Sequence, residues 1–222
     1  MRIVHDRLRA AHRAACRLVL LPPAKATIDD LLTQGFVAAV RERNLPVDIT
    51  LAEVGYEQVM AKTVAADLRA HVIEPAQKEG CHSIWLAGIS LGAFNALHYA
   101  AAFGKDLAGL KLIAPYPGTA DILNEIRAAG GPAAWAATPS ASKEDERAWW
   151  HWLSRTEPAC PVYLGVASED RFIKGQSMLA SLIPTQRIQY TEGDHSWPVW
   201  LRLWQHWLDE GLPARPTRET TP

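Results

Sequence analysis

Gly88-Ile89-Ser90-Leu91-Gly92 places a serine between two glycines. An apolar run, Ser83-Ile84-Trp85-Leu86-Ala87, precedes it, and a stretch rich in small residues follows. A strand that turns sharply into a helix forces the residue at the turn into a strained backbone region, where flanking side chains would collide. Glycine on both sides removes the collision. The Ser90 hydroxyl then stands clear at the carboxyl end of a strand, beside a helix N-terminus, as in a nucleophile elbow. A hydroxyl so placed can attack an electrophilic carbon if a base takes its proton.

The base is expected late in the chain, in a loop after the last strand. The stretch from Thr191 to Pro198 offers His195 there, and Gly193 permits the turn. The other seven histidines fall elsewhere: His5 and His12 near the start, His71, His98 and His206 in predicted helices, His82 beside a strand and His151 among tryptophans. An acid that orients the imidazole should follow the penultimate strand. Asp170 is favoured there, with its neighbour Glu169 as the alternative. Asp170 could also cap the helix that follows. A tetrahedral oxyanion needs two donors. The backbone N–H of Leu91 is the first. The second should come from the loop after the first strand, Pro22-Pro23-Ala24-Lys25. Proline has no N–H, so Ala24 is the first residue able to donate, with Lys25 next.

These residues must be positioned by regular elements. Short apolar runs at residues 17–21, 83–87, 110–114 and 161–166 read as buried strands, and 47–54 and 187–190 as two more. Helical patterns separate them. Residues 27–43 read as one helix, with Thr27 as N-cap, acids in the first turn and Leu31, Leu32, Phe36, Val37 and Val40 on one face. Residues 56–78 form a long helical stretch, with Val59, Val64, Leu68 and Val72 inward and a kink at Pro75. Residues 91–103, 172–182 and 197–209 complete the set. Strands alternating with helices imply an α/β domain with a mainly parallel sheet and right-handed crossovers. Residues 115–158 break the alternation with Gly130-Gly131 and four tryptophans, Trp135, Trp149, Trp150 and Trp152. They read as a short helical cap insert.

The strand into LLPPA, the WLAGISLGA turn, the LIAPY strand, the ASEDRF acid turn and the GDHSWPVW loop together resemble a compact bacterial-type α/β-hydrolase, from Leu18 to Leu208. The resemblance implies a Ser90–Asp170–His195 triad and esterase- or thioesterase-like acyl transfer with no metal or organic cofactor. It also implies an α/β-hydrolase fold. The strands that open larger family members are missing, so a sheet of about six strands is expected. Relatives commonly carry His-Gly or Pro-Gly where Pro22-Pro23 stand, a departure at the oxyanion loop. Tyr116 and Trp197 lie at the mouths of catalytic-side loops. With Trp135 they are candidates to touch a small-molecule acyl substrate; alternatively, the insert's tryptophans pack it onto the sheet.

Bulk properties set limits on partners. Of 222 residues, 48% are hydrophobic, enough for a buried core in one domain, 1–222. Lys and Arg number 23 against 24 Asp and Glu, so no strong field attracts nucleic acid or an anionic membrane. No stretch is long enough to span a bilayer. Residues 1–16 are Arg-rich, lack the apolar core of a signal peptide, and read as a leading arm or helix. Three cysteines without a CxxC pair read as free thiols in a reducing, cytoplasmic setting. Residues 213–222 read as a disordered tail. A dehalogenase is disfavoured because its nucleophile would be Asp. A thioesterase or peptidase could use the same triad, and a non-catalytic binding protein of this fold would not need it.

Overall fold

The computed structural model describes residues 1–9, 14–137, 145–155 and 157–211. Its first element corrects the expectation of a leading arm or helix: β1 (Arg2–Asp6) is a strand. It pairs antiparallel with β3 (Val47–Glu53), Ile3 opposite Ala52 and Val4 opposite Leu51. The physical reason is twofold. Without β1, β3 would leave a row of backbone donors and acceptors unpaired. Ile3 and Val4 also face opposite sides, and each packs on a different core. Of the basic residues that suggested an arm, Arg2 lies in the strand, while Arg7 and Arg9 lie beyond it. Among the described residues the sheet therefore has seven strands rather than about six, in the order β1, β3, β2 (Cys16–Leu21), β4 (Ser83–Ile89), β5 (Gly109–Ile113), β6 (Val162–Ala167) and β7 (Ile188–Thr191).

Every pairing of these strands but that of β1 is parallel. Helices cover both faces, so the central strands are apolar at consecutive positions. Along β2, Val19 and Leu21 enter one core while Leu18 and Leu20 enter the other. The second core is closed by α1 (Ile28–Thr33), α2 (Phe36–Glu42) and α11 (Trp197–Asp209). From α11 it receives Trp200, Leu203, Trp204 and Trp207. Burying a large side chain of this kind contributes about 1.5–3 kcal/mol.

The first core is covered by α3 (Tyr56–Met60), α4 (Val64–Leu68), α5 (Glu74–Lys78), α6 (Leu91–Phe103) and, after β5, α7 (Ala120–Ala128), α8 (Pro132–Ala136), α9 (Glu146–Arg155) and α10 (Ile173–Ala180). Two predicted helices are broken. The stretch 27–43 divides at Gly35, whose φ of 85° is left-handed. Thr27 nevertheless caps α1, in a capping box with Asp30. The stretch 56–78 breaks at Lys62, φ 58°, and widens to a π-helical turn over Arg69–Ile73. Pro75 follows that turn and has no N–H to offer the preceding turn. Helices α6 and α11 have the bounds read from the sequence. Among the described residues, no helix is long and apolar enough to cross a membrane. The predicted tail lies outside the described residues.

Candidate active site

β4 ends at Ile89 and α6 begins at Leu91, so the chain reverses direction at one residue, Ser90. Its backbone has φ 52° and ψ −111°, a conformation side chains seldom adopt. Neighbouring bonds hold it there. The Ser90 N–H donates to the Ile113 carbonyl at 2.9 Å, and its own carbonyl accepts from Phe94 and Tyr116, each at 3.1 Å. The flanking glycines are required by close approach. A Cβ on Gly88 would lie 2.3 Å from the Gly92 carbonyl, and one on Gly92 would lie 2.4 Å from the Leu21 oxygen. The elbow is thus seated against the end of β2, beside the Pro22-Pro23 loop.

His195 comes from the loop after β7, and Asp170 from the loop after β6. Two backbone bonds tie the loops together: Ser168 N–H to the Thr191 oxygen at 3.0 Å, and Glu169 N–H to the Gly193 oxygen at 2.9 Å. His195 Nε2 lies 2.9 Å from Ser90 Oγ, and Nδ1 lies 2.6 Å from Asp170 Oδ2. The carboxylate that meets the imidazole is therefore Asp170; Glu169 is exposed. Asp170 is 1% exposed, and its other oxygen accepts from the Phe172 N–H at 2.8 Å. Burial pushes this carboxyl up, but hydrogen bonds from His195, the Phe172 amide and Gln176 outweigh it and hold it below the ordinary range. A carboxylate held low is ionised at neutral pH, and it favours the tautomer in which Nδ1 donates to it and Nε2 is able to accept from Ser90.

No protein-family model matches the sequence, and no curated protein matches it. Solved structures do match in three dimensions. FphF, a fluorophosphonate-binding serine hydrolase of Staphylococcus aureus, superposes with a TM-score of 0.63 at 12% identity over 91% of this chain and 86% of its own. Est1E from Butyrivibrio proteoclasticus gives 0.61 at 14% identity, over 94% and 93%. MGS-MChE2, an α/β hydrolase from the metagenome of lagoon sediments at Mar Chica, Morocco, gives 0.60 at 15% identity, over 94% of both chains. The chain has the α/β-hydrolase fold.

In this fold Ser90 stands at the turn between β4 and α6. Leu91 is the first residue of α6, where a helix leaves backbone N–H groups without internal acceptors. The expected second donor lies in a tight turn. The Ala26 N–H bonds to the Pro23 oxygen at 3.3 Å, Lys25 has φ 63°, and Ala24 is exposed.

Aromatic side chains surround the His195 imidazole. Phe172 and Trp200 present rings edge-to-face to His195, with centroids at 5.1 and 4.8 Å. Tyr116 meets Phe172 at 5.3 Å, and Trp197 meets Trp200 at 5.1 Å. Tyr116 and Trp197, singled out in the sequence, are thus one ring removed from the imidazole. Trp135 stacks on His151 in the insert, centroids 4.1 Å apart. Trp149 and Trp150 are fully buried in the first core; Trp149 meets Phe94 of α6 at 6.1 Å, and the Trp150 indole donates to the Pro117 oxygen. Sequence reasoning passed over Phe172, Trp200 and Gln176. Phe172 follows Asp170 by two positions, and Trp200 is four residues past Ser196 on the buried face of α11; both signals are weak without the fold.

Proposed function

We propose that this protein is a serine hydrolase that cleaves a small or medium acyl ester through an acyl-enzyme on Ser90. The observation that carries this reading is the single imidazole of His195 bonded to both the Ser90 hydroxyl and the buried Asp170 carboxylate. Ser90 Oγ attacks the ester carbonyl carbon while His195 Nε2 takes the hydroxyl proton. The carbonyl electrons move to oxygen, and the oxyanion accepts from the Leu91 amide and, in this reading, from that of Ala24. On collapse the C–O bond to the leaving group breaks, and His195 gives its proton to the departing oxygen. Water, deprotonated by His195, then releases the acid and restores Ser90. Asp170 stabilises the imidazolium in both halves.

The names of the structural neighbours, serine hydrolase and esterase among them, support the reaction class. A binding-only role is disfavoured by the strain. Holding a non-glycine residue at φ 52° costs on the order of 1–3 kcal/mol, and binding alone needs neither that strain nor a serine with a base. The test is hydrolysis of a p-nitrophenyl ester series from acetate to decanoate by wild type and Ser90→Ala. Turnover by the wild type alone is the predicted result. Equal turnover by both would overturn the reading.

A further inference from the structure

His98 takes no part in the mechanism above, yet it is placed as a ligand would need it. Between Leu91 and Ala101 of α6, the half-buried positions are Leu91, Phe94, His98 and Ala101. That spacing is one stripe of a helix, and it begins beside Ser90. The Phe94 ring packs edge-on against His98, with centroids 4.7 Å apart, and meets Tyr116 at a tilt, with centroids 5.5 Å apart. The buried Trp149 backs Phe94 at 6.1 Å. The Tyr116, Phe94 and His98 rings are each half-buried, so each keeps part of its surface uncovered. The result is an apolar strip that ends in a polar ring.

The far end of the strip has a defined electrostatic character. Burial pushes the His98 imidazole down to about 4, against the attraction of Glu146 and Asp145 and with the help of Lys62. It is therefore uncharged at neutral pH, with one nitrogen to donate and one to accept. No hydrogen bond within the described residues engages either nitrogen. Burial opposes ionisation of Glu146, but bonds from the Thr119 amide at 2.8 Å and hydroxyl at 2.7 Å hold its carboxyl below the ordinary range. Asp145 is itself paired with the Arg147 guanidinium at 2.9 Å, so the charges around His98 (Glu146 and Asp145 against Lys62 and Arg147) balance and favour a neutral group.

The reaction geometry says which part of a substrate reaches it. The leaving-group oxygen must face His195 Nε2 to be protonated, and the oxyanion must face the Leu91 amide. The acyl arm is the remaining substituent, and the row of rings that runs from His195 through Phe172, Tyr116 and Phe94 to His98 offers it an apolar path along α6. We infer that the Leu91–Phe94–His98 stripe is the acyl-arm subsite, and that it takes an apolar chain ending in an uncharged hydrogen-bonding group such as a hydroxyl. This rests on the hydrolase reading and gives its substrate class. His98 is eight residues from Ser90, about 12 Å along a helix, which sets a medium chain length.

The test compares p-nitrophenyl acetate, decanoate and ω-hydroxydecanoate as substrates of wild type, His98→Ala and His98→Gln, with the thermal midpoint of each protein recorded. The wild type should favour the hydroxylated ester over decanoate by about tenfold in kcat/KM, chiefly through KM, as one added hydrogen bond allows. His98→Ala should lose that preference and keep acetate turnover; His98→Gln should retain much of it. Equal wild-type turnover of the two long esters would overturn the inference. So would a preference that survives in His98→Ala, or a loss of acetate turnover in parallel with it. Failure of the wild type on all three esters, acetate included, would instead bring down the hydrolase reading beneath.

Discussion

Gly92 lies so close to the carbonyl of Leu21 that a methyl group on its α-carbon would sit 2.4 Å from that oxygen. The contact joins the elbow to the end of β2: the sheet holds Leu21 and α6 holds Gly92, so neither backbone is free to retreat. Gly92→Ala is predicted to destabilise the protein by about 3 kcal/mol and to abolish ester turnover, because Ser90 must shift with α6. Thermal unfolding and p-nitrophenyl ester kinetics check both. A variant with wild-type stability would show that the elbow relaxes freely.

Asp170 and Glu169 are adjacent, and only Asp170 reaches the imidazole. Asp170→Asn should lower kcat by about 10⁴-fold, by stabilising the wrong tautomer of His195, while Glu169→Gln should stay within about twofold of wild type. The hydrogen bonds that hold the Asp170 carboxyl low also carry a stability signature. A carboxyl lowered in the folded state stabilises above its unfolded value, and that contribution is lost as pH falls through the folded one. Wild type should therefore lose more stability than Asp170→Asn on acidification below the ordinary carboxylate range, as measured by urea unfolding across acid pH.

The imidazole is also held from its sides. Phe172 and Trp200 flank His195 edge-to-face, and loosening it should misalign Nε2 with Ser90. Phe172→Leu and Trp200→Leu are each predicted to reduce kcat by about 10- to 100-fold, with smaller changes in KM. Steady-state kinetics on a short ester separates the two parameters. An effect confined to KM would make these rings substrate contacts instead.

Lys111 is a buried ammonium in the middle of β5, among the rings of Tyr163, Trp207 and Trp85 at 4.6, 4.9 and 5.4 Å. Burial lowers it from 10.5 to about 8, against the attraction of Glu210. A lowered lysine means that the charged folded form is penalised. The penalty is full below pH 8 and fades as pH rises from there to the unfolded value, so stability from this group rises over that window. Lys111→Met is predicted to stabilise the protein at pH 7 by about 1–3 kcal/mol, with the gain shrinking at pH 10. Thermal midpoints at the two pH values decide it. A Met variant less stable at pH 7 would mean that the aromatic cage outweighs the burial cost.

What was legible in the sequence follows from range. The elbow, α6 and α11 are encoded within a few residues of themselves, and they appear where the spacing placed them. Asp170, with Glu169 beside it, and His195 could be named as candidates because each follows a strand that is itself legible in the sequence. β1 escaped notice because Arg2–Asp6 is too short to show a period, and its reason for being a strand is the free edge of β3, far along the chain. The breaks at Gly35 and Lys62 were hidden by apolar spacing that continues across them. The rings beside His195, the cage around Lys111 and the stripe ending at His98 depend on elements that meet only when the sheet is assembled.

The central claim is that Ser90 is a nucleophile activated by His195. Its most direct measurement is reaction with a fluorophosphonate, read by intact mass and peptide mapping. The account predicts one adduct, on Ser90, absent in Ser90→Ala and strongly slowed in His195→Ala. An unlabelled wild type, or an adduct that maps elsewhere and persists in Ser90→Ala, would contradict it.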